Sequence, residues 1–105
     1  MTIPLTTVAL SATQIIAKIA LLDRWKLWGD GDTLCIEKTF AFSSFLETMT
    51  FANAIAFLAQ REDHHPQLVI QQTTCSVRFR TDSVNGISPR DFKCAALVDA
   101  LLARS

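Results

Sequence analysis

The sequence predicts an α+β domain in the order α-β-β-α-β-β-α, with three helices packed on one face of a four-stranded antiparallel sheet. Three observations predict it. Three segments repeat apolar residues at helical spacing behind a serine that can cap them. Four short segments alternate apolar and polar residues in the manner of half-buried strands. The strands fall into two closely linked pairs, and short links require antiparallel pairing. Three helices with one apolar face each suffice to cover one face of such a sheet.

Residues 1–9 read as a flexible lead-in, and residues 10–105 as the domain. Ser11 can cap a first helix running to about Leu22, with Ile15, Ile16, Ile19 and Leu22 as its stripe. Trp25–Trp28 alternates like a strand. Gly29-Asp30-Gly31-Asp32 is a hairpin turn; it lacks the later ligand positions and the closing glutamate of a calcium loop. In the second strand Leu34, Ile36, Lys38, Phe40 and Phe42 share one parity, with Lys38 the odd member of an apolar row. Ser43 or Ser44 can cap a long second helix reaching about Asp63, and Glu47 completes a capping box with Ser44. Its face is traced by Phe45, Met49, Ala52, Ala56 and Ala59, and widened by Phe51, Ile55 and Leu58.

Pro66 closes that helix, and Leu68–Gln72 reads as the third strand. Cys75, Val77 and Phe79 alternate with Ser76, Arg78 and Arg80 in the fourth. A glycine-containing loop over 83–87 leads to Ser88-Pro89-Arg90-Asp91. That run opens a third helix: cap, proline at the first position, and an acid near the positive end of the helix dipole.

Composition narrows the function. The chain has 105 residues, enough for one modest core, and half of them are hydrophobic, so it should fold. Formal net charge is zero, which argues against a general nucleic-acid binder. It also leaves little electrostatic protection against self-association. Cys35, Cys75 and Cys94 are far apart and flanked by apolar residues. They read as buried thiols of a reducing cytosol rather than a zinc site, and no metal or other cofactor is expected. No segment approaches a membrane span, and the start lacks the pattern of a signal peptide, so a cytoplasmic location is expected.

The only two histidines, His64 and His65, stand together before Pro66 at a helix–strand junction. Two imidazoles there can serve acid–base chemistry or simply form a polar helix end. Arg78 and Arg80 share the outward parity of their strand. They are either solvated sheet-face residues or a basic patch for an acidic partner. Glu37, Lys38 and Glu47 read as surface charges or weak local ion pairs.

Taken together, the run from Ile36 through Phe45, then Phe51 and Ala56, Asp63-His64-His65-Pro66, Val77, Phe79, Thr81, Gly86-Ile87-Ser88 and Asp91 resembles pterin-4a-carbinolamine dehydratases. The resemblance covers about residues 10–103. It implies the same three-helix, four-strand fold, dimers or tetramers, and metal-free dehydration of a 4a-hydroxytetrahydropterin. Such enzymes use three histidines and an acid. His64 and His65 match the first two histidine positions, and Asp82 stands at the third. Gln60 replaces the acid, Leu68 an aromatic and Gln72 a tyrosine. A carboxylate at neutral pH accepts a proton but donates poorly, Gln60 cannot titrate, and Leu68 cannot stack on a pterin.

This pattern resembles a subfamily with degenerate pockets that serves as Rubisco assembly factors of the α-carboxysome. It implies a non-catalytic protein with a protein partner, the Rubisco large subunit, and association with carboxysomes; the wide face of the second helix, the open sheet edges and the zero net charge lead us to expect a homodimer, and the outward Arg78 and Arg80 are the first candidates for the partner surface. The alternative is an active dehydratase recycling tetrahydropterin, in which His64 is the general acid or base, His65 positions the pterin and Asp82 substitutes for the missing histidine. A second alternative is a dimerisation or regulatory module.

Overall fold

The structure, a computed structural model, describes residues 8–102. Residues 1–7 of the expected lead-in lie outside the described residues. The domain takes hold at Leu10, whose N–H donates to the Ile87 carbonyl at 2.8 Å.

Helix α1 spans Ala12–Ile19. Ser11 and Gln14 cap it reciprocally: Gln14 N–H donates to Ser11 Oγ at 3.2 Å, and Ser11 N–H donates to Gln14 Oε1 at 2.9 Å. The helix stops three residues short of the expected Leu22. The chain turns instead, with Arg24 left-handed at φ 67°, and this delivers Trp25 into the core. Burying a whole indole outweighs one more turn of a marginal helix. Ile16, expected in the stripe, is exposed.

Strands β1 (Lys26–Trp28) and β2 (Cys35–Ala41) form the first hairpin. Gly29 is required at its turn. Its φ is +77°, and an added Cβ would lie 2.7 Å from the Thr33 carbonyl oxygen.

Helix α2 spans Phe45–Glu62. Both candidate serines act at its start. Ser44 Oγ accepts from Glu47 N–H, and the Glu47 carboxylate accepts from the Ser43 N–H and hydroxyl. The buried face is Thr48, Phe51, Ala52, Ile55, Leu58 and Ala59. Of the expected face, Phe51, Ala52, Ile55, Leu58 and Ala59 are buried, whereas Phe45 and Ala56 are exposed. Burial scales with apolar area, so Phe51, Ile55 and Leu58 set the orientation, and Phe45 and Ala56 fall outside the buried arc.

Strand β3 is Gln67–Ile70, shifted from the expected Leu68–Gln72, and β4 is Thr74–Phe79. Gln71 N–H bonds the Thr74 carbonyl at 2.9 Å and closes the turn between them. Helix α3 runs Pro89–Leu102. Strand order is β1-β2-β4-β3, and every neighbouring pair is antiparallel. This is the α+β fold that the sequence predicts.

The core lies between the helices and one sheet face. Ile15 of α1, Ile55 and Leu58 of α2, and Phe92, Ala95 and Val98 of α3 meet Ile36, Phe40, Cys75, Val77 and Phe79. Lys38 is the exception in the inner row and has a partner. Its Nζ donates to Asp99 Oδ1 at 2.8 Å, and the Trp25 indole N–H donates to Asp99 Oδ2 at 3.0 Å. Asp99 therefore satisfies both polar groups that this corner of the core buries.

Candidate functional site

The face of the sheet away from the helices is only partly open. Glu37 is 5% exposed, where the sequence suggested a surface charge. Register explains it: Glu37 stands opposite Arg78 on β4, and the two share the outer parity. Arg78 Nε donates to Glu37 Oε2 at 2.7 Å, and its guanidinium lies 3.6 Å from the centre of the Trp28 ring. The stack of Trp28, Arg78 and Glu37 keeps water from the floor of this region.

Above that floor is a cleft of about 520 Å³. Its walls include Trp28, Cys35, His65, Arg78, Arg80 and Asp82. Burial raises the Cys35 thiol above its ordinary pKa, so it borders the cleft as a neutral group. Arg80 Nη2 donates to Asn85 Oδ1 at 2.8 Å, and Asn85 Nδ2 donates to Asp32 Oδ1 at 3.0 Å. This chain ties the β1–β2 turn to the loop after β4 and shapes the rim. Asp82 lies in that loop, with its carboxylate 3.4 Å from Arg80 Nε.

The two histidines have opposite fates. Asp63 ends α2 in the left-handed region at φ 52°, and His64 N–H bonds the Ala59 carbonyl at 3.2 Å. The chain then extends, so adjacent side chains point to opposite sides. His65 is exposed and reaches the cleft. His64 is 8% exposed and turns inward, stacked on Phe79 with ring centres 5.8 Å apart.

His64 Nε2 lies 2.6 Å from Asp91 Oδ1. Asp91 is fully buried, and its Oδ2 accepts from the Thr81 hydroxyl at 2.8 Å and Ser88 N–H at 2.9 Å. The Thr81 and Ser88 hydroxyls are 2.7 Å apart. Thus the predicted helix start is also a buried polar network, because Asp91 caps α3 and receives His64 with the same carboxylate. Arg90 secures the junction from outside, donating to the Asp63 carbonyl at 2.6 Å. Lys93 pairs with Glu62 at 3.0 Å, and its bond, with that of Arg61, lowers the Glu62 pKa.

Of the positions singled out in the sequence, the cleft brings together His65, Arg78, Arg80 and Asp82. Gln60 is exposed on α2, and Gln72 is exposed beyond β3. Leu68 stands opposite Val77 and packs against the core. None of these three is among the lining residues. The sequence reading missed Trp28, Cys35 and Glu37. Opposite charges at matching parity on neighbouring strands, Glu37 and Arg78, were the signal available for the last.

A family model described as "Pterin 4 alpha carbinolamine dehydratase" matches residues 8–101. A Paracidovorax citrulli protein named "Putative pterin-4-alpha-carbinolamine dehydratase" is 50% identical over 97 residues, covering 92% of this chain and 84% of its own. A protein of the same name from Bdellovibrio bacteriovorus is 45% identical, covering 89% and 78%. Among solved structures, a transcriptional coactivator/pterin dehydratase from Brucella melitensis superposes with a TM-score of 0.83 at 25% identity, covering 90% of this chain and 99% of that one. A pterin dehydratase-like protein described as a RuBisCO assembly factor in the α-carboxysome gives a TM-score of 0.65 at 27% identity, covering 79% and 94%.

Proposed function

The chain belongs to the pterin-4a-carbinolamine dehydratase family, and we propose that this member is a non-catalytic binding protein that assists assembly of a larger enzyme, with Rubisco as the client. The observation that carries the reading is the single imidazole in the cleft. Dehydration needs one group to take a ring proton and another to protonate the leaving hydroxyl. His65 can do one of these. The titratable side chain in the loop facing it is Asp82, a poor proton donor at neutral pH. His64 is held at Nε2 by Asp91 and is absent from the lining. The likeness to the RuBisCO assembly factor supplies the client class.

Two measurements test this. Purified protein should not accelerate dehydration of a 4a-hydroxytetrahydropterin above background; turnover lost in His65→Ala or His64→Ala overturns the reading. Co-expression with Rubisco subunits and a chaperonin should raise the yield of soluble assembled enzyme, and an unchanged yield rejects the client. The second reading, an active dehydratase, is favoured by the names of relatives up to 50% identical. It would place acid–base work on His65 with Asp82 as acceptor.

A further inference from the structure

We propose that the cleft is a carboxylate-binding site in which Arg80 is the anchor and Asp82 is a built-in stand-in for the ligand. This rests on the reading of the cleft as a binding site and names the chemistry that it takes. Two guanidinium groups line the cleft, and they differ. Arg78 is committed, fixed by Glu37 at 2.7 Å and by the Trp28 ring at 3.6 Å. Arg80 is not. Its Nε is buried and has no hydrogen-bond partner among the described residues, and its one hydrogen bond runs from Nη2 to Asn85. Buried donors are nearly always paired, so this Nε, which lies beside the Asp82 carboxylate, marks a place that a better-aligned acceptor fills once Asp82 moves aside.

Asp82 shows which acceptor. Its carboxylate lies 3.4 Å from that same Nε but is too poorly aligned for a hydrogen bond, and its side chain is 91% exposed against 20% for Arg80. An exposed carboxylate held this loosely is easily displaced. A ligand carboxylate could engage the planar guanidinium through two parallel bonds, which Asp82 does not form here. His65 stands in the same cleft as a further donor, and the neutral Cys35 offers no repulsion.

The test is a titration of the full chain followed through the arginine Nε–Hε resonances by nitrogen-15 NMR. The probes are succinate, its neutral analogue succinamide, and a blocked tri-glutamate peptide, at constant ionic strength. Succinate should shift the Arg80 signal saturably, succinamide should not, and the Arg78 signal should stay in place. Asp82→Asn should tighten succinate binding by about threefold, the weight of one exposed ion pair. Arg80→Gln should abolish it. Tighter binding of the peptide assigns the site to a protein partner's acidic side chain, and tighter binding of succinate assigns it to a small organic acid. An Arg80 signal that stays still, or that moves equally with succinamide, overturns the proposal. So does an Asp82→Asn variant with unchanged affinity, a result available even where Arg80→Gln fails to fold. Dehydratase turnover would refute the non-catalytic reading and leave this titration standing. A flat titration would do the reverse.

Discussion

Replacing Asp91 with alanine should be among the most destabilising single changes in this chain. The carboxylate is fully buried and accepts at both oxygens: from His64 at 2.6 Å, from Thr81 at 2.8 Å and from Ser88 N–H at 2.9 Å. Asp91→Ala strands a ring N–H and the Ser88 backbone N–H, takes one partner from the Thr81 hydroxyl, and leaves Ser88 as the remaining cap of α3. Breaking a buried hydrogen-bonded pair costs about 3–5 kcal/mol, against a total stability of roughly 5–15 kcal/mol for a domain. The expected fall in Tm is at least about 12 °C. Asp91→Asn should cost less. Its carbonyl can still serve Ser88 and Thr81, while its amide faces His64, which can present Nε2 as an acceptor by changing tautomer. His64→Ala leaves two donors on Asp91 and should cost about 1–3 kcal/mol. Urea unfolding followed by circular dichroism measures all three variants, and the double variant His64→Ala/Asp91→Ala measures their coupling. An Asp91→Ala loss below about 1 kcal/mol, or fully additive single losses, would refute the claim that the network holds α2, β4 and α3 together.

Two further outcomes follow from shifted titrations. The Ser43 hydroxyl, then its N–H, lowers the Glu47 pKa. Stability from that cap should be present above the ordinary carboxylate value of ~4.3 and be lost as pH falls through the lowered folded value. Glu47→Gln should therefore lower Tm at pH 7 and converge with the native protein in strong acid; a gap independent of pH would argue against the cap. Burial pushes the Cys94 thiol up to about 11 and raises Cys35 and Cys75 as well. Native protein mixed with a chromogenic disulfide at pH 8 should show no fast thiol reaction, and all three cysteines should react once unfolded. A fast native phase would show that burial does not protect the thiols, Cys35 at the cleft wall being the first to check.

The elements were legible wherever local chemistry decides them. Ser11, Ser44 and Ser88 each mark a helix start because their caps act within a turn, and the alternation in β2 and β4 carries its own period. Legibility failed where distant parts of the chain compete. Helix α1 ends early because Trp25 has to reach the core. On α2 the large Phe51, Ile55 and Leu58 set the orientation, so Phe45 and Ala56 of the expected row fall outside the buried face while Ala52 and Ala59 lie within it. Lys38 looked anomalous until Asp99, sixty-one residues away, was found beside it. The site was legible in its members and less so in its geometry. His65, Arg78, Arg80 and Asp82 converge, but Gln60, Leu68 and Gln72 do not line the cleft, because strand register and helix rotation, which decide where they point, are tertiary facts.

The same distinction decides how the His-His-Pro run should be weighed. His64 is buried against Asp91 and Phe79, whereas His65 is exposed at the cleft, so the two imidazoles sit in different surroundings. His64 belongs to the fold: it stacks on Phe79 and completes the coordination of Asp91. His65, Arg78, Arg80 and Asp82 line the cleft, and His64 does not. A substitution at His64 should therefore register first in stability, and one at His65 or Arg80 first in binding. Any loss of function in a His64 variant has to be corrected for unfolding before it counts as evidence for chemistry.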